Sequence, residues 1–336
     1  MTGRIEVENK IEQRILRKLK DQPDYVYDWY LNLKANKATS TTCYDYLNKV
    51  IQMLNYYGNK PSIEDLSQRK TIEYFNSIQK IEKDGEIKSS SISYQQSVWC
   101  ALVNFFDYLF AMKLIPNNYM ATIKRPKNNN DDDRVKKERI LLTQQDFNLI
   151  LKAVKRKPKE DELKWGLPEL RSRNVLLMCL FMTTGIRKTA LSEINIEDID
   201  FDTHELVVID KGNKYHVYAL SDDMMTCIKN WLADREKIIG DSDCDALFIS
   251  ENGTRLSTNR IFQIVEKYSE EALGYKISPH KLRAGFCSIL YNVKHDIEFV
   301  RRTVGHSNIR TTQRYIVTDN NERKEAANIM SDLLKF

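Results

Sequence analysis

The sequence predicts a mainly α protein of two domains, the second carrying one small antiparallel β-sheet, and three observations lead there. Apolar residues recur at helical spacing across residues 47–57 and 98–112. A polar tract without periodicity fills residues 124–133. Two β-rich runs, residues 205–209 and 215–220, flank a Gly-Asn pair suited to a hairpin turn. At 336 residues the chain has room for two cores, and its 42% apolar share is ordinary for folded domains.

Taken in order, residues 1–20 place Ile11, Ile15, Leu16 and Leu19 at helical spacing. Residues 1–22 are set apart as an amino-terminal extension with one extra contact helix. The first domain, residues 23–125, is helical. Leu47, Val50, Ile51, Leu54 and Tyr57 line one stripe, behind a Thr39-Ser40-Thr41-Thr42 stretch fit to cap a helix. Asp65, Leu66 and Ile72 suggest a short helix after Pro61. The strongest signal is residues 91–112, where Val98, Ala101, Leu102, Phe105, Leu109 and Met112 share a face. Ser89, Ser90 and Ser91 precede that run as caps, and Pro116 with Asn117 closes it. Residues 126–139, rich in Asn and Asp, cannot bury a core and read as a linker. The second domain, residues 140–336, opens with Leu142-Thr143-Gln144-Gln145-Asp146 as a helix start. A buried helix follows over 173–184, then the hairpin, then mainly helical sequence from 222 onward. Its last segment sets Ala326, Ala327, Ile329, Met330, Leu333 and Leu334 among Glu322, Arg323, Lys324 and Asp332, the pattern of a short amphipathic helix.

Composition bounds the function. No apolar run reaches membrane-spanning length, and the first residues lack the apolar core of a signal peptide, so a cytoplasmic protein is expected. Six cysteines, at 43, 100, 179, 227, 244 and 287, include no Cys-x-x-Cys pair and read as reduced core thiols, neither disulfides nor zinc ligands. The net charge of +5 admits a polyanionic partner without requiring one.

Four segments of the second domain carry chemistry. They are Thr184-Gly185-Ile186-Arg187, Lys211-Gly212-Asn213-Lys214, His280-Lys281-Leu282-Arg283, and Gly305-His306 followed by Thr311-Thr312-Gln313-Arg314-Tyr315. Each contributes a cation, a proton donor or a nucleophile. A phosphodiester transition state gathers negative charge on its non-bridging oxygens, and fixed cations lower its energy. Arginine suits the task because its planar fork donates twice to phosphate and stays charged. An enzyme that conserves bond energy also needs a side-chain nucleophile, so that a covalent intermediate replaces hydrolysis. Taken singly, each residue also fits an ordinary role. Arg187 fits a helix cap, Lys211 and Lys214 solvated turn positions, His280 and His306 satisfied imidazoles, and Tyr315 a core aromatic. Their order and spacing together favour the site.

These boxes closely resemble the tyrosine recombinase (phage integrase) family. The family's Thr-Gly-Leu-Arg is matched by Thr184-Gly185-Ile186-Arg187, and its Gly-Lys-Gly-x-Lys hairpin by Asp210-Lys211-Gly212-Asn213-Lys214. Its His-x-Leu-Arg is matched by His280-Lys281-Leu282-Arg283. Its Leu-Gly-His with Thr-Thr-x-x-Tyr is matched by Val304-Gly305-His306 with Thr311-Thr312-Gln313-Arg314-Tyr315. The resemblance implies a helical core-binding domain followed by an α-rich catalytic domain with a small antiparallel β-sheet. It also implies the roles. Tyr315 attacks the scissile phosphate to leave a 3′-phosphotyrosine and a free 5′-hydroxyl. Arg187, Arg283 and His306 hold the non-bridging oxygens. Lys211 protonates the leaving 5′-oxygen, and His280 orients or deprotonates the tyrosine. No metal and no cofactor are implied. Two positions depart from the family pattern: Ala190 stands where an acidic residue is usual, with Glu193 as a substitute, and Ala284-Gly285 stands where His-Thr is common.

By the same resemblance the partner is double-stranded DNA, clamped between the two domains. Lys124, Arg125, Lys127 and Lys214 are the expected backbone contacts. A homotetramer assembles on recombination sites with the carboxy-terminal tail docking in trans, and accessory DNA-bending or directionality proteins are admitted as further partners. The expected function is a site-specific recombinase, read as the integrase or transposase of a mobile element because of the amino-terminal extension and the unusual neighbours of Arg283. Its alternatives are a chromosome-dimer resolvase of the Xer type, a DNA-binding protein without catalysis, and a type IB topoisomerase.

Overall fold

The short polar residues Thr39, Ser67 and Ser91 each fix where a helix begins. Their side chains accept hydrogen bonds from the backbone N–H groups of Thr42, Lys70 and Tyr94, satisfying donors that the first turn leaves open. The computed structural model describes residues 2–58, 60–83, 86–127, 142–157, 168–210, 214–240, 242–306 and 308–313. Lys211, Tyr315, the tail helix and most of the linker lie outside these described residues. The chain divides into two compact units, Arg4–Glu138 and Arg139–Phe336, the latter joined by Met1–Gly3.

In the first unit, α1 (Thr2–Leu19), α2 (Asp24–Ala35), α3 (Ser40–Tyr57), α4 (Gln68–Ser77) and α5 (Ile92–Ala111) surround one core. The fully buried side chains include Trp29, Leu47, Val50, Val98, Leu102, Phe105 and Phe106. Trp29 meets Phe105 edge-on, with ring centroids 5.1 Å apart, and donates its indole N–H to Asn104 at 2.9 Å. Ile15 and Leu19 of α1 are buried in the same core. Glu12 of that helix accepts from Tyr30, and from Ser40 at 3.1 Å. A hairpin of β1 (Lys80–Lys83) and β2 (Glu86–Ser89) joins α4 to α5, with Asp84-Gly85 between its strands.

Two expectations are corrected here. Asp65 and Leu66 precede α4 instead of opening a helix, because the Asp65 carboxylate accepts from the Ser62 N–H at 2.7 Å and so closes a turn. Met112 is 57% exposed, since α5 ends at Ala111 and its stripe ends with it.

The second unit begins with α6 (Gln144–Lys155), opened by a reciprocal capping box between Thr143 and Asp146. Then come α7 (Leu170–Thr184) and α8 (Lys188–Glu193), and a three-stranded antiparallel sheet of order β3-β4-β5 (Ile199–Asp200, Glu205–Asp210, Lys214–Ala219). Helices α9 (Asp222–Ile239), α10 (Thr258–Leu273), α11 (Pro279–Lys294), α12 (Ile297–Thr303) and α13 (Ile309–Gln313) complete it. Helix α7 is apolar nearly all round, with Leu176, Leu177, Leu180 and Phe181 fully buried, and it packs against α6, α9 and α11. Buried polar side chains brace the segment after α9: Trp231, Arg235 and Arg173 donate to the carbonyls of Leu247, Ala246 and Ile249 at 2.7–3.0 Å. All six cysteines are free thiols, Cys43 and Cys287 buried and the rest partly so. Among the described residues no helix is long and apolar enough to cross a membrane.

Candidate active site

Gly185 makes the first corner of the site. It ends α7 in the left-handed conformation, φ +62°, and a Cβ there would lie 2.6 Å from Phe286 of α11. Glycine meets both demands at once. Thr184 donates its hydroxyl to Leu180 at 2.6 Å and accepts the N–H of Ile186 at 3.2 Å, and Ile186 is buried. The next residue, Arg187, is therefore presented half-buried at the start of α8. The backbone of α7 is closed by Gly185, and Arg187 stands at the N-cap position of α8.

Arg283, in the first turns of α11, is 2% exposed. Its guanidinium donates to the Gly185 carbonyl and, at 2.7 Å, to the Val304 carbonyl, and it hydrogen-bonds the Tyr218 hydroxyl from β5. Arg283 thus ties three of the four boxes together. Among the described residues it has no carboxylate partner, only neutral oxygens. A buried cation held that way favours an anion arriving from outside.

His306 is 3% exposed, and its Nδ1 lies 3.0 Å from the hydroxyl of Thr312, which is fully buried. The Arg301 guanidinium grips the His306 carbonyl at 2.6 Å, and Arg301 is itself paired with Glu298. Burial, then the charges of Arg283, Arg187, His280 and Arg301, push the His306 imidazole down to about 3. The ring is neutral at physiological pH. A neutral ring carries one proton, and in the tautomer whose Nδ1 accepts from the Thr312 hydroxyl that proton is on Nε2. His280, more exposed, is lowered by desolvation and then by Arg283, Lys281 and Arg187. Arg187, His280, Arg283 and His306 therefore act on one another in one cluster.

The remaining predicted residues stand elsewhere. Lys211 and Tyr315 lie outside the described residues. Lys214 is exposed at the start of β5. Lys124, Arg125 and Lys127 are exposed in the first unit, on a segment held to α5 by Trp99, which donates to Ile123 at 2.8 Å, and by Gln96, which donates to Pro126 at 2.7 Å. Tyr218 and His216, which share a face of β5, were not singled out from sequence, and Thr312 was read only as part of its box, with no role of its own. The period of two along the strand was the only available signal for the first pair. The two departures have physical readings. Ala190 is buried, 4% exposed. Gly285 is required by packing, since a Cβ there would meet Leu142 at 2.8 Å and Phe147 at 3.0 Å.

Two arginines and two histidines, one histidine buried and neutral, thus form a cationic cluster chemically suited to an anion. Residues 141–322 match the sequence profile of the phage integrase family. The chain belongs to the phage integrase family. It is similar to the tyrosine recombinase XerC of Alcanivorax borkumensis, 34% identical over 45% of this chain and 49% of that protein. The chain thus spans about half the length of the curated relatives it matches first. The fold is similar to that of solved recombinase and integrase structures. One is the XerH site-specific recombinase bound to palindromic difH substrate in a post-cleavage complex: TM-score 0.63, 22% identity, 89% of this chain and 82% of that one. Another is a lambda integrase tetramer bound to a Holliday junction: TM-score 0.60, 17% identity, 88% and 76%. Among the described residues no group of three His, Cys, Asp or Glu side chains is placed to hold a metal.

Proposed function

We propose that this integrase-family protein is a site-specific DNA recombinase that cleaves and rejoins strands through a 3′-phosphotyrosine. The observation that carries the proposal is Arg283, buried, bound among the described residues only to neutral oxygens, and clustered with Arg187, His280 and His306. In this reading Arg187, Arg283 and the Nε2–H of His306 bind the non-bridging oxygens of the scissile phosphate. Tyr315 attacks phosphorus, the P–O5′ bond breaks, and Lys211 gives the leaving oxygen its proton. His280 takes or orients the phenol proton. The bond energy is kept in the phosphotyrosine, and a 5′-hydroxyl from a second strand reverses the step. Lys124, Arg125, Lys127 and Lys214 contact the DNA backbone. The protein works in the cytoplasm, with residues 23–125 as core-binding domain and 140–336 as catalytic domain.

The protein assembles as a tetramer on DNA, each tail segment docking on a neighbour. An apolar groove of the second unit, lined by Phe147, Leu151, Met182, Phe286, Leu290 and Val293, is chemically matched to the apolar stripe of the tail. Deleting residues 320–336 should abolish multi-subunit complexes in a gel-shift titration while single-subunit complexes persist; unchanged assembly would refute the docking.

The biological role is proposed as integration or transposition of a mobile element. The likeness to XerC favours a second reading, resolution of chromosome dimers. The test of the activity uses nicked suicide duplexes from DNA flanking the gene, mixed with the protein without metal or ATP. A denaturant-resistant protein–DNA adduct with wild type and none with Tyr315→Phe is expected. Binding without adduct would leave a DNA-binding protein, and an adduct on any duplex regardless of sequence would point to a topoisomerase. Duplexes from the chromosome's replication terminus, run beside the flanking ones, separate the resolvase from the mobile-element enzyme.

A further inference from the structure

The turn that carries His306 is held from two sides. From one side come Arg283 on the Val304 carbonyl and Arg301 on the His306 carbonyl, both already described. From the other comes a residue outside the four boxes. His216 sits on β5, opposite Val208 of β4, and its Nε2 lies 3.0 Å from the carbonyl of Thr303. A carbonyl only accepts, so His216 carries its proton on Nε2 and donates. The same ring lies flat against the turn. A Cβ built on Gly305, whose φ is +68°, would stand 2.9 Å from His216 Nδ1 and 3.2 Å from its Cε1. The contact excludes any side chain at Gly305. His216 is in turn packed edge-on against Tyr218, ring centroids 4.4 Å apart, and Tyr218 hydrogen-bonds Arg283.

We infer that His216 is a positioning residue for strand cleavage, latching residues 303–306 to β5 so that His306 and the Val304 carbonyl under Arg283 keep the geometry a scissile phosphate needs. The latch has a second consequence from topology alone. Strand β5 begins at Lys214, next to the Lys211 segment, so the strand that leads from the proposed general acid is the one that holds the turn of His306. The neighbours of His216 are consistent with a neutral donor: burial lowers its proton affinity first, the Thr303 carbonyl opposes that, and Arg283 of α11 and Arg187 before α8 lower it further. On its own strand the ring packs against Tyr218, and Lys214 stands two residues before it on the same face.

This inference rests on the recombinase reading, and its test separates the two. The full-length protein is compared with His216→Gln, His216→Leu and His216→Ala on the nicked suicide duplex. Two quantities are read for each: the single-turnover rate of adduct formation at saturating duplex, and the Kd for the same duplex. Gln and Leu fill similar volume, but only Gln offers an N–H at the reach of Nε2. The Leu and Ala variants should form adduct about 10- to 100-fold more slowly, the size of effect expected when a reacting group drifts by about an ångström. Their Kd should stay within about threefold of wild type, and Gln should recover most of the rate. Should Ala fail to fold, the Gln–Leu comparison still decides. Equal rates for Leu and Gln, or a loss seen only in Kd, would overturn the latch and leave His216 a packing residue. No adduct from wild type would instead sink the recombinase reading itself.

Discussion

His306 is neutral in the folded protein because burial and the surrounding cations oppose its protonation, holding it near 3. An unfolded histidine takes up its proton near pH 6.5. Between those values the unfolded chain binds more protons than the folded one, so stability is full above pH ~6.5 and is lost as pH falls toward 3, at most ~1.4 kcal/mol per pH unit. His306→Asn removes the titrating group while keeping a polar side chain beside Thr312. Urea midpoints measured at pH 7 and pH 5 should drop further between the two for wild type than for His306→Asn. Parallel drops would mean that this ring already titrates normally in the fold. The same neutral ring has a catalytic consequence: an acid limb in the cleavage–pH profile between 5 and 7 would have to come from another group, since His306 does not ionise there. His280, lowered in the same direction and more exposed, is the candidate for it.

At the scale of elements, the site depends on how closely α11 approaches α6 and the end of α7. Gly285 is the contact with α6 and the residues just before it: an added methyl would stand 2.8 Å from Leu142 Cβ, ahead of the helix, and 3.0 Å from Phe147 Cε1 within it. Leu142 is a backbone-proximal core atom that cannot swing away, so Gly285→Ala must push α11 outward. The cost expected for overpacking is about 1–3 kcal/mol. Because Arg283 lies two residues earlier on the same helix, adduct formation should slow as well. A chemical denaturation curve and the suicide-duplex rate, taken together, check this; wild-type values in both would show that the helices tolerate the methyl. The reason for this glycine was not legible in the sequence, because the neighbour that demands it belongs to a helix far back in the chain. What was legible had local causes. The stripes of α3 and α5, the apolar run of α7, the capping box of α6 and the hairpin of β4 and β5 each follow from periodicity or turn chemistry within the segment itself. The β1–β2 hairpin had a local signal too, Asp84-Gly85, but its strands alternate charge with isoleucine over only four residues each, too short a pattern to register. Arg187, His280, Arg283 and His306 were readable because their spacing forms boxes. His216 and Tyr218, outside the boxes, and Thr312, inside one but without a role readable there, meet those residues through contacts that only the folded chain creates.

Across the whole molecule, charge is nearly balanced: 52 basic against 47 acidic residues leave +5 on 336 residues. So slight an excess gives little long-range attraction for a polyanion, so the proposed DNA affinity would have to come from local clusters meeting phosphates. Lys124, Arg125 and Lys127 form such a cluster on exposed chain, and the hydrogen bonds from Trp99 and Gln96 hold the backbone beneath them in place. A fixed backbone reduces the freedom to be lost on binding to that of the side chains themselves. Every phosphate neutralised adds about 0.9 to the slope of log affinity against log salt. Replacing all three by alanine should therefore flatten that slope by about 2 to 3. The flattening should be the same on a cognate and an unrelated duplex, because phosphate contacts carry no base identity. Fluorescence anisotropy titrations across a salt series measure both slopes. A slope unchanged by the triple substitution would place the DNA on another face of the first unit, and a change confined to the cognate duplex would mean that these residues read bases instead.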